Sequence, residues 1–310
     1  MLRTSAEIGY DGFEFGILDE ELLPWFPEGM GIWPERLGRR ERAKLKETSE
    51  SYKIEMPSLS ADCLWKYVLA DPDRKSREKA VSVVHQIIRL ASDLGASVVL
   101  LPGTDGPPNH SLPKTIQDSW KLQKESLGAC LREAAEYGVT LGLENCEREF
   151  LMDADRLVKM VHELGDEHLK VYYDVSNSVE MGDDPLEEID KIGKELCCIH
   201  STDFLRIDER TKWNDIVEVF RKQRLEPWLE IEEKETFLNK IRTHSGVGHV
   251  PFGKGNIDWN RILRHIRETG YDWFLVDEGT NIYPKQATRM AEEAWKAYDG
   301  LVGQKMVRSE

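Results

Sequence analysis

Four side chains with metal-binding chemistry, Glu144, Asp174, His200 and Glu278, each stand at the C-terminal end of a short apolar run. The runs are Val139–Glu144, Val171–Asp174, Cys197–His200 and Phe274–Glu278, and their β-branched, aliphatic and aromatic content suits strands covered on both faces. Three carboxylates and one imidazole make a hard, mostly oxygen donor set with a formal charge near −3 (about one negative charge per carboxylate). Such a set suits Mn²⁺, Mg²⁺ or Co²⁺, with Zn²⁺ admitted by the imidazole. Taken singly, an acid at a strand end is often a helix N-cap or an ion-pair partner, and a lone histidine is often a packing residue. Together in one mouth the carboxylates would repel one another unless a cation or protons neutralise them, and this points to one shared metal site.

The spacing indicates what must position them. Thirty residues separate Glu144 from Asp174, and 26 separate Asp174 from His200. Each gap is about one strand-plus-helix unit of a (β/α)₈ barrel of roughly 250 residues. The 78 residues between His200 and Glu278 require an insertion. Alternating helix-period stretches and short apolar runs predict an α/β fold with a parallel sheet and crossover helices. Helices are expected at 2–8, 35–52, 74–94, 113–137, 153–164, 185–195 and up to about residue 269, with strands at 12–15, 54–60, 97–102, 139–144, 170–175, 197–200 and 274–278. That is seven strands where a closed barrel needs eight, because the opening helix reads as the crossover that should follow a first strand. Either the chain starts upstream, or the barrel is open, or another segment such as Trp228–Ile231 patches it. We read residues 1–310 as a single TIM-barrel domain that lacks or replaces its first strand. A charged insertion at 204–246 would be a solvated helical excursion or a lid or subunit contact.

Composition narrows the partners. A formal net charge of −15 argues against a surface for nucleic-acid phosphates and favours a small polar ligand or a cation. No apolar stretch reaches the ~18 residues of a membrane span, and residues 1–7 lack the apolar core of a signal peptide, so a cytoplasmic protein without membrane attachment is expected. Five cysteines, an odd number without CxxC spacing, read as reduced thiols, with Cys146 either core or facing the site.

Several segments carry a family resemblance: 6–14 (Ala-Glu-Ile-Gly-Tyr-Asp-Gly-Phe-Glu), 91–96, Gly142-Leu-Glu-Asn145, Tyr173-Asp-Val-Ser-Asn177, Ile199-His-Ser-Thr-Asp203 and Gly253-Lys-Gly-Asn-Ile-Asp-Trp259. The chain resembles the sugar phosphate isomerase/epimerase superfamily, the xylose isomerase-like TIM barrels. Its Glu, Asp, His, Glu order is similar to the ketose and pentulose-phosphate 3-epimerases and hexulose-phosphate isomerases. The resemblance implies a divalent-metal isomerase of carbohydrate metabolism acting on a sugar or sugar phosphate through an enediolate. Glu144, Asp174, His200 and Glu278 would be the ligands, and Glu144 and Glu278 also the acid/base pair. Arg206, in a His-x-x-Asp-x-x-Arg pattern, and Asn177 would bind substrate, in a chain that can form a homo-oligomer.

Two departures leave the substrate open. Asn177 stands where free-sugar epimerases carry a histidine, and Ser201-Thr202 replaces Val-Lys. A phosphate could meet the N–H groups of Gly253–Gly255, against ordinary turn-making there. An inosose-type dehydratase on the same scaffold and a noncatalytic metal-binding barrel are the alternatives. A DNA-cleaving trinuclear-zinc relative would need more histidines at strand ends.

Overall fold

The structure is a computed structural model and describes residues 1–21, 31–103, 115–146, 150–207, 211–223, 248–278 and 287–302. Among these, the helices are α1 (Leu2–Ile8), α2 (Arg39–Tyr52), α3 (Arg74–Leu94), α4 (Ile116–Tyr137), α5 (Ala154–Leu164), α6 (Val175–Met181), α7 (Pro185–Ile192), α8 (Trp213–Gln223), α9 (Trp259–Glu268) and α10 (Ala287–Val302). The parallel sheet comprises β1 (Phe15–Ile17), β2 (Gly31–Ile32), β3 (Ser58–Ser60), β4 (Val98–Pro102), β5 (Thr140–Glu144), β6 (Leu169–Asp174), β7 (Leu196–His200) and β10 (Leu275–Val276). A separate antiparallel ribbon is made by β8 (Asp203–Leu205) and β9 (Gly248–Val250).

The sheet order is β10-β7-β6-β5-β4-β3-β1-β2, an α/β barrel wall with helices between strands. The eighth strand is therefore present. It is the two-residue β2, which pairs with β1 on the side away from β3, in the place a first strand would take. The patch proposed at Trp228–Ile231 lies outside the described residues, as do most of the insertion and most of the loop after β4. β2 and β10, the two edge strands, share no ladder among the described residues. The strand expected at 12–15 is displaced: Gly12 makes only an isolated bridge to Glu55, and the ladder begins at Phe15.

Period-two alternation assigns the two faces. Val99, Leu101, Leu141, Leu143, Val171, Tyr173 and Ile199 join the core shared with the helices. Their neighbours Val98, Leu100, Tyr172 and Cys198 form a second cluster inside the barrel, against Phe274 and Val276. Continuing that inner register, 142 leads to Glu144, Tyr172 to Asp174, Cys198 to His200 and Val276 to Glu278. All four donors therefore fall on the inner face at the C-terminal ends of their strands.

The helices cover the outer face for local reasons. In α3 the buried residues Val83, Val84, Ile87, Ile88, Ala91 and Leu94 recur at helical spacing. Asp73 caps its start by accepting from the Ser76 N–H, and Gly95 ends it in the left-handed region at φ 85°. Two helices outside the insertion were not read from the sequence: α10, and α6, which starts directly after Asp174 without an intervening loop.

The ribbon brings residues 205 and 248 side by side, so the chain between them leaves and returns at one point. Its described part, α8, packs Ile216 and Phe220 on Leu205, Ile207 and Val250 as a small core of its own. Asp203, at the start of the ribbon, accepts from the N–H groups of Gly253, Phe204 and Ile257 and ties the turn at 253–257 to the barrel. The Gly253 N–H thus serves the turn itself, as ordinary turn-making requires. A Cβ at Gly255 would fall inside van der Waals contact of Asp203 Oδ1 and the Phe204 carbonyl. Gly255→Ala is expected to destabilise the protein by about 1–3 kcal/mol, the range for overpacking a tight site, read as a lower urea midpoint; an unchanged midpoint would show that this turn yields freely.

Candidate metal centre

Glu144 ends β5, Asp174 ends β6, His200 ends β7, and Glu278 lies two residues past β10. Each offers a ligand atom within 4.8 Å of all the others. His200 is at the centre: its Nδ1 lies 2.9 Å from Glu144 Oε1, 3.3 Å from Glu278 Oε2 and 3.7 Å from Asp174 Oδ2. Glu144, Asp174 and His200 are buried, while the Glu278 side chain remains 32 % exposed and faces the open side of the mouth.

Asp174 divides its two oxygens. Oδ1 accepts from the Asn177 N–H at 3.0 Å and the Ser176 hydroxyl at 2.6 Å, so it caps α6, while Oδ2 faces His200. The helix-cap reading and the metal-ligand reading of this residue thus describe opposite ends of one carboxylate. Asn145 holds the strand end from the other side: its amide oxygen accepts the Asp174 N–H at 2.7 Å, and its amide nitrogen donates to the Asp174 carbonyl at 2.8 Å.

The electrostatics follow from crowding. Burial pushes the Glu144 carboxyl up to about 7, and the charges of Glu278 and Asp174 add to this against the lowering effect of His200. Burial alone would lower His200, but the charge of Glu278 and hydrogen bonds to Asp174, Glu14 and Glu144 lift it well above the usual imidazole value. A proton on the imidazole is held where a cation would do the same electrostatic work. The donor set fits a divalent ion: oxygen-rich, with one imidazole nitrogen, and buried enough that its charges need a partner.

The other residues singled out from the sequence lie at different distances from this cluster. Asn177 is buried beside it, donating from Nδ2 to the Asn145 carbonyl at 2.7 Å, with its Oδ1 buried and without a hydrogen-bond partner among the described residues. Arg206 is exposed, and its guanidinium donates to the Val179 carbonyl at 2.6 Å, on the last turn of α6. Cys146 is buried with its Sγ 3.8 Å from Glu144 Oε2, and all five cysteines are free thiols. His85, His162 and His265 sit on helices, so among the described residues only one histidine joins the cluster.

Two acids in the mouth were not singled out by sequence reasoning. Glu14, just before β1, has a side chain only 9 % exposed and lies 3.1 Å from His200 Nε2. It also accepts from the Tyr172 hydroxyl at 3.0 Å and from Ser58. Its signal in the sequence was a charge between Phe13 and Phe15 on a buried strand, which has to find partners inside. Asp62, in the turn after β3, accepts from Ser60 at 2.8 Å, and burial followed by the charge of Glu278 raises it well above the carboxylate range. Glu14, Asp62 and Glu278 line one end of a cavity of about 750 Å³ that runs between β1 and β10 towards α1 and α10.

The chain is similar to several known proteins. The rhizopine catabolism protein MocC of Rhizobium meliloti is 24 % identical over 284 residues, 89 % of this chain and 73 % of that protein. The L-ribulose-5-phosphate 3-epimerase UlaE of Escherichia coli is 20 % identical over 307 residues, covering 96 % of this chain and 86 % of the epimerase. Among solved structures, a D-tagatose 3-epimerase-like protein superposes with a TM-score of 0.68 at 19 % identity, covering 97 % and 93 % of the two chains. The zinc-bound IOLI protein superposes with the same TM-score of 0.68 at 17 % identity, over 99 % and 93 %. The family model described as a xylose isomerase-like TIM barrel matches residues 2–297, and the chain belongs to that family.

Proposed function

We propose that this protein is a divalent-metal-dependent epimerase or isomerase of a sugar or sugar phosphate, of the ketose 3-epimerase or aldose-ketose isomerase type. The observation that carries this reading is the convergence of Glu144, Asp174, His200 and Glu278 at the C-terminal mouth of the barrel, where enzymes of this architecture place their chemistry. Relatives that include a pentulose-phosphate 3-epimerase support the reaction class.

In this reading the four residues hold Mn²⁺, Mg²⁺ or Co²⁺, or Zn²⁺. A bound cation would polarise a substrate carbonyl and its neighbouring hydroxyl and acidify the C–H between them. Glu144 and Glu278 come from β5 and from the end of β10, with β6 and β7 between them, so they approach a sugar from different sides. One carboxylate takes the proton from carbon, giving the enediolate, and the other returns a proton to the opposite face. Asp174 and His200 hold the donor geometry. Asn177 and Arg206 are assigned to substrate oxygens, Asn177 through its free amide oxygen and Arg206 from the rim. A substrate with a leaving hydroxyl beside the enediolate would lose water instead, the dehydratase outcome.

Elemental analysis of the purified protein, before and after chelation, tests the site. About one equivalent of metal per chain, absent from Glu144→Ala, is the expected result; a chain that neither retains nor rebinds metal would point to a noncatalytic barrel. Incubation of the loaded protein with a panel of ketoses and ketose phosphates in D₂O tests the chemistry. Deuterium should enter at the carbon between carbonyl and hydroxyl, and Glu278→Gln should slow this by about 10²–10⁴-fold, the usual contribution of a positioned acid or base. Unchanged exchange in that variant would remove Glu278 from proton transfer.

Metal affinity should also depend on pH. The ion displaces the proton from Glu144, which titrates up to about 7, and the Nδ1 proton from His200. Affinity should therefore rise as pH climbs through about 7, with protons released on binding. Calorimetry at pH 6 and pH 8, in buffers of different ionisation enthalpy, reads both effects.

A further inference from the structure

The two nitrogens of His200 face different neighbours. Nδ1 points at Glu144, Asp174 and Glu278, whereas Nε2 lies 3.1 Å from Glu14 Oε1 on the far side of the ring. Glu14 is no fifth donor to the cluster. Its Oε1 is taken up by His200, and its Oε2 accepts from the Tyr172 hydroxyl at 3.0 Å and from Ser58. Tyr172 also sets its ring edge-on to the imidazole, with centroids 4.6 Å apart. The three partners come from β3, β6 and β7, and Glu14 crosses the barrel interior beneath the mouth to reach them.

We propose that Glu14 is the positioning carboxylate of the metal centre: it accepts the His200 Nε2 proton, which commits Nδ1 to the cation, while Ser58 and Tyr172 hold the carboxylate in place. This rests on the metal-site reading above. Both nitrogens face carboxylates, but a cation bound among Glu144, Asp174 and Glu278 would take the Nδ1 lone pair, and the one N–H of the neutral imidazole then falls on Nε2, where Glu14, which only accepts, receives it. An outer carboxylate of this kind also makes the imidazole a more basic ligand. The alternatives are that Glu14 merely fills the barrel interior or that its charge acts on the cation from a distance. Neither fixes a tautomer.

The test uses the full-length protein, stripped by chelation and reloaded with Zn²⁺, which is diamagnetic. Affinity is measured by competition with a chromophoric chelator for the unsubstituted protein, Glu14→Gln, Glu14→Ala and Tyr172→Phe. Glu14→Gln keeps the shape and removes the charge, and should bind Zn²⁺ about 10- to 100-fold more weakly, the usual consequence of losing an outer-shell partner. Tyr172→Phe should lose less. Nitrogen NMR with ¹⁵N-histidine should place the proton on Nε2 in the unsubstituted protein, exchanging slowly with water, and faster in Glu14→Gln.

If Glu14→Ala fails to fold, the isosteric Glu14→Gln decides the matter. Zn²⁺ affinity and proton exchange in Glu14→Gln equal to those of the unsubstituted chain would overturn the proposal and leave the metal site standing. A proton found on Nδ1 of the loaded protein would overturn it as well. Failure of the unsubstituted chain to bind Zn²⁺ at all would overturn the metal site, and the proposal with it.

Discussion

Carboxylates gathered in a largely buried space repel one another, and their burial opposes their charge. Glu14, Glu144, Asp174 and Glu278 meet around the single imidazole of His200 in this way. Several of the polar contacts in the upper barrel answer that constraint. Tyr172 and Ser58 donate to Glu14, Ser176 and the start of α6 donate to Asp174, and the imidazole stands among all four. The strands can bring these acids together because their outer faces, buried under the helices, fix the register, and the inner residues follow at every second position.

The same arrangement separates what the sequence disclosed from what it concealed. The four donors were legible because each closes an apolar run, and a strand buried on both faces advertises itself by composition. β2 was not legible, since two residues, Gly31 and Ile32, carry no periodicity at all; the strand exists only as a partner of β1. The first strand was expected at 12–15, three residues early, and Gly16 lay outside that expectation. In the structure it is a strand residue whose missing Cβ leaves room for Asp62, whose Oδ2 would lie 2.6 Å from a Cβ there. Helix α6 was hidden because Asp174 ends one element and begins the next. Glu14 was hidden for another reason. Its partners are 44, 158 and 186 residues away in the chain, and only the curled sheet brings them within reach.

The ribbon β8–β9 and the Asp203-tied turn fix where the barrel lets a long excursion leave and return. Asp203 lies three residues after His200, and its hydrogen bonds anchor the returning chain close to the strand that bears the imidazole. Whatever the chain between 205 and 248 does, its two ends are tied to one another by backbone hydrogen bonds. The small core around Ile216 and Phe220 lets α8 pack without drawing on the main core.

Asp174 has a consequence of a different kind. A carboxylate recruited by an ion from solvent-facing freedom loses its rotamers at the moment of binding, a cost of about 0.5–1.5 kcal/mol for each side chain immobilised. Asp174 has already been stilled by folding, because one of its oxygens starts a helix. The entropy of ordering this carboxylate belongs to the folding of the barrel, and a cation arriving there would meet a group that folding has already fixed.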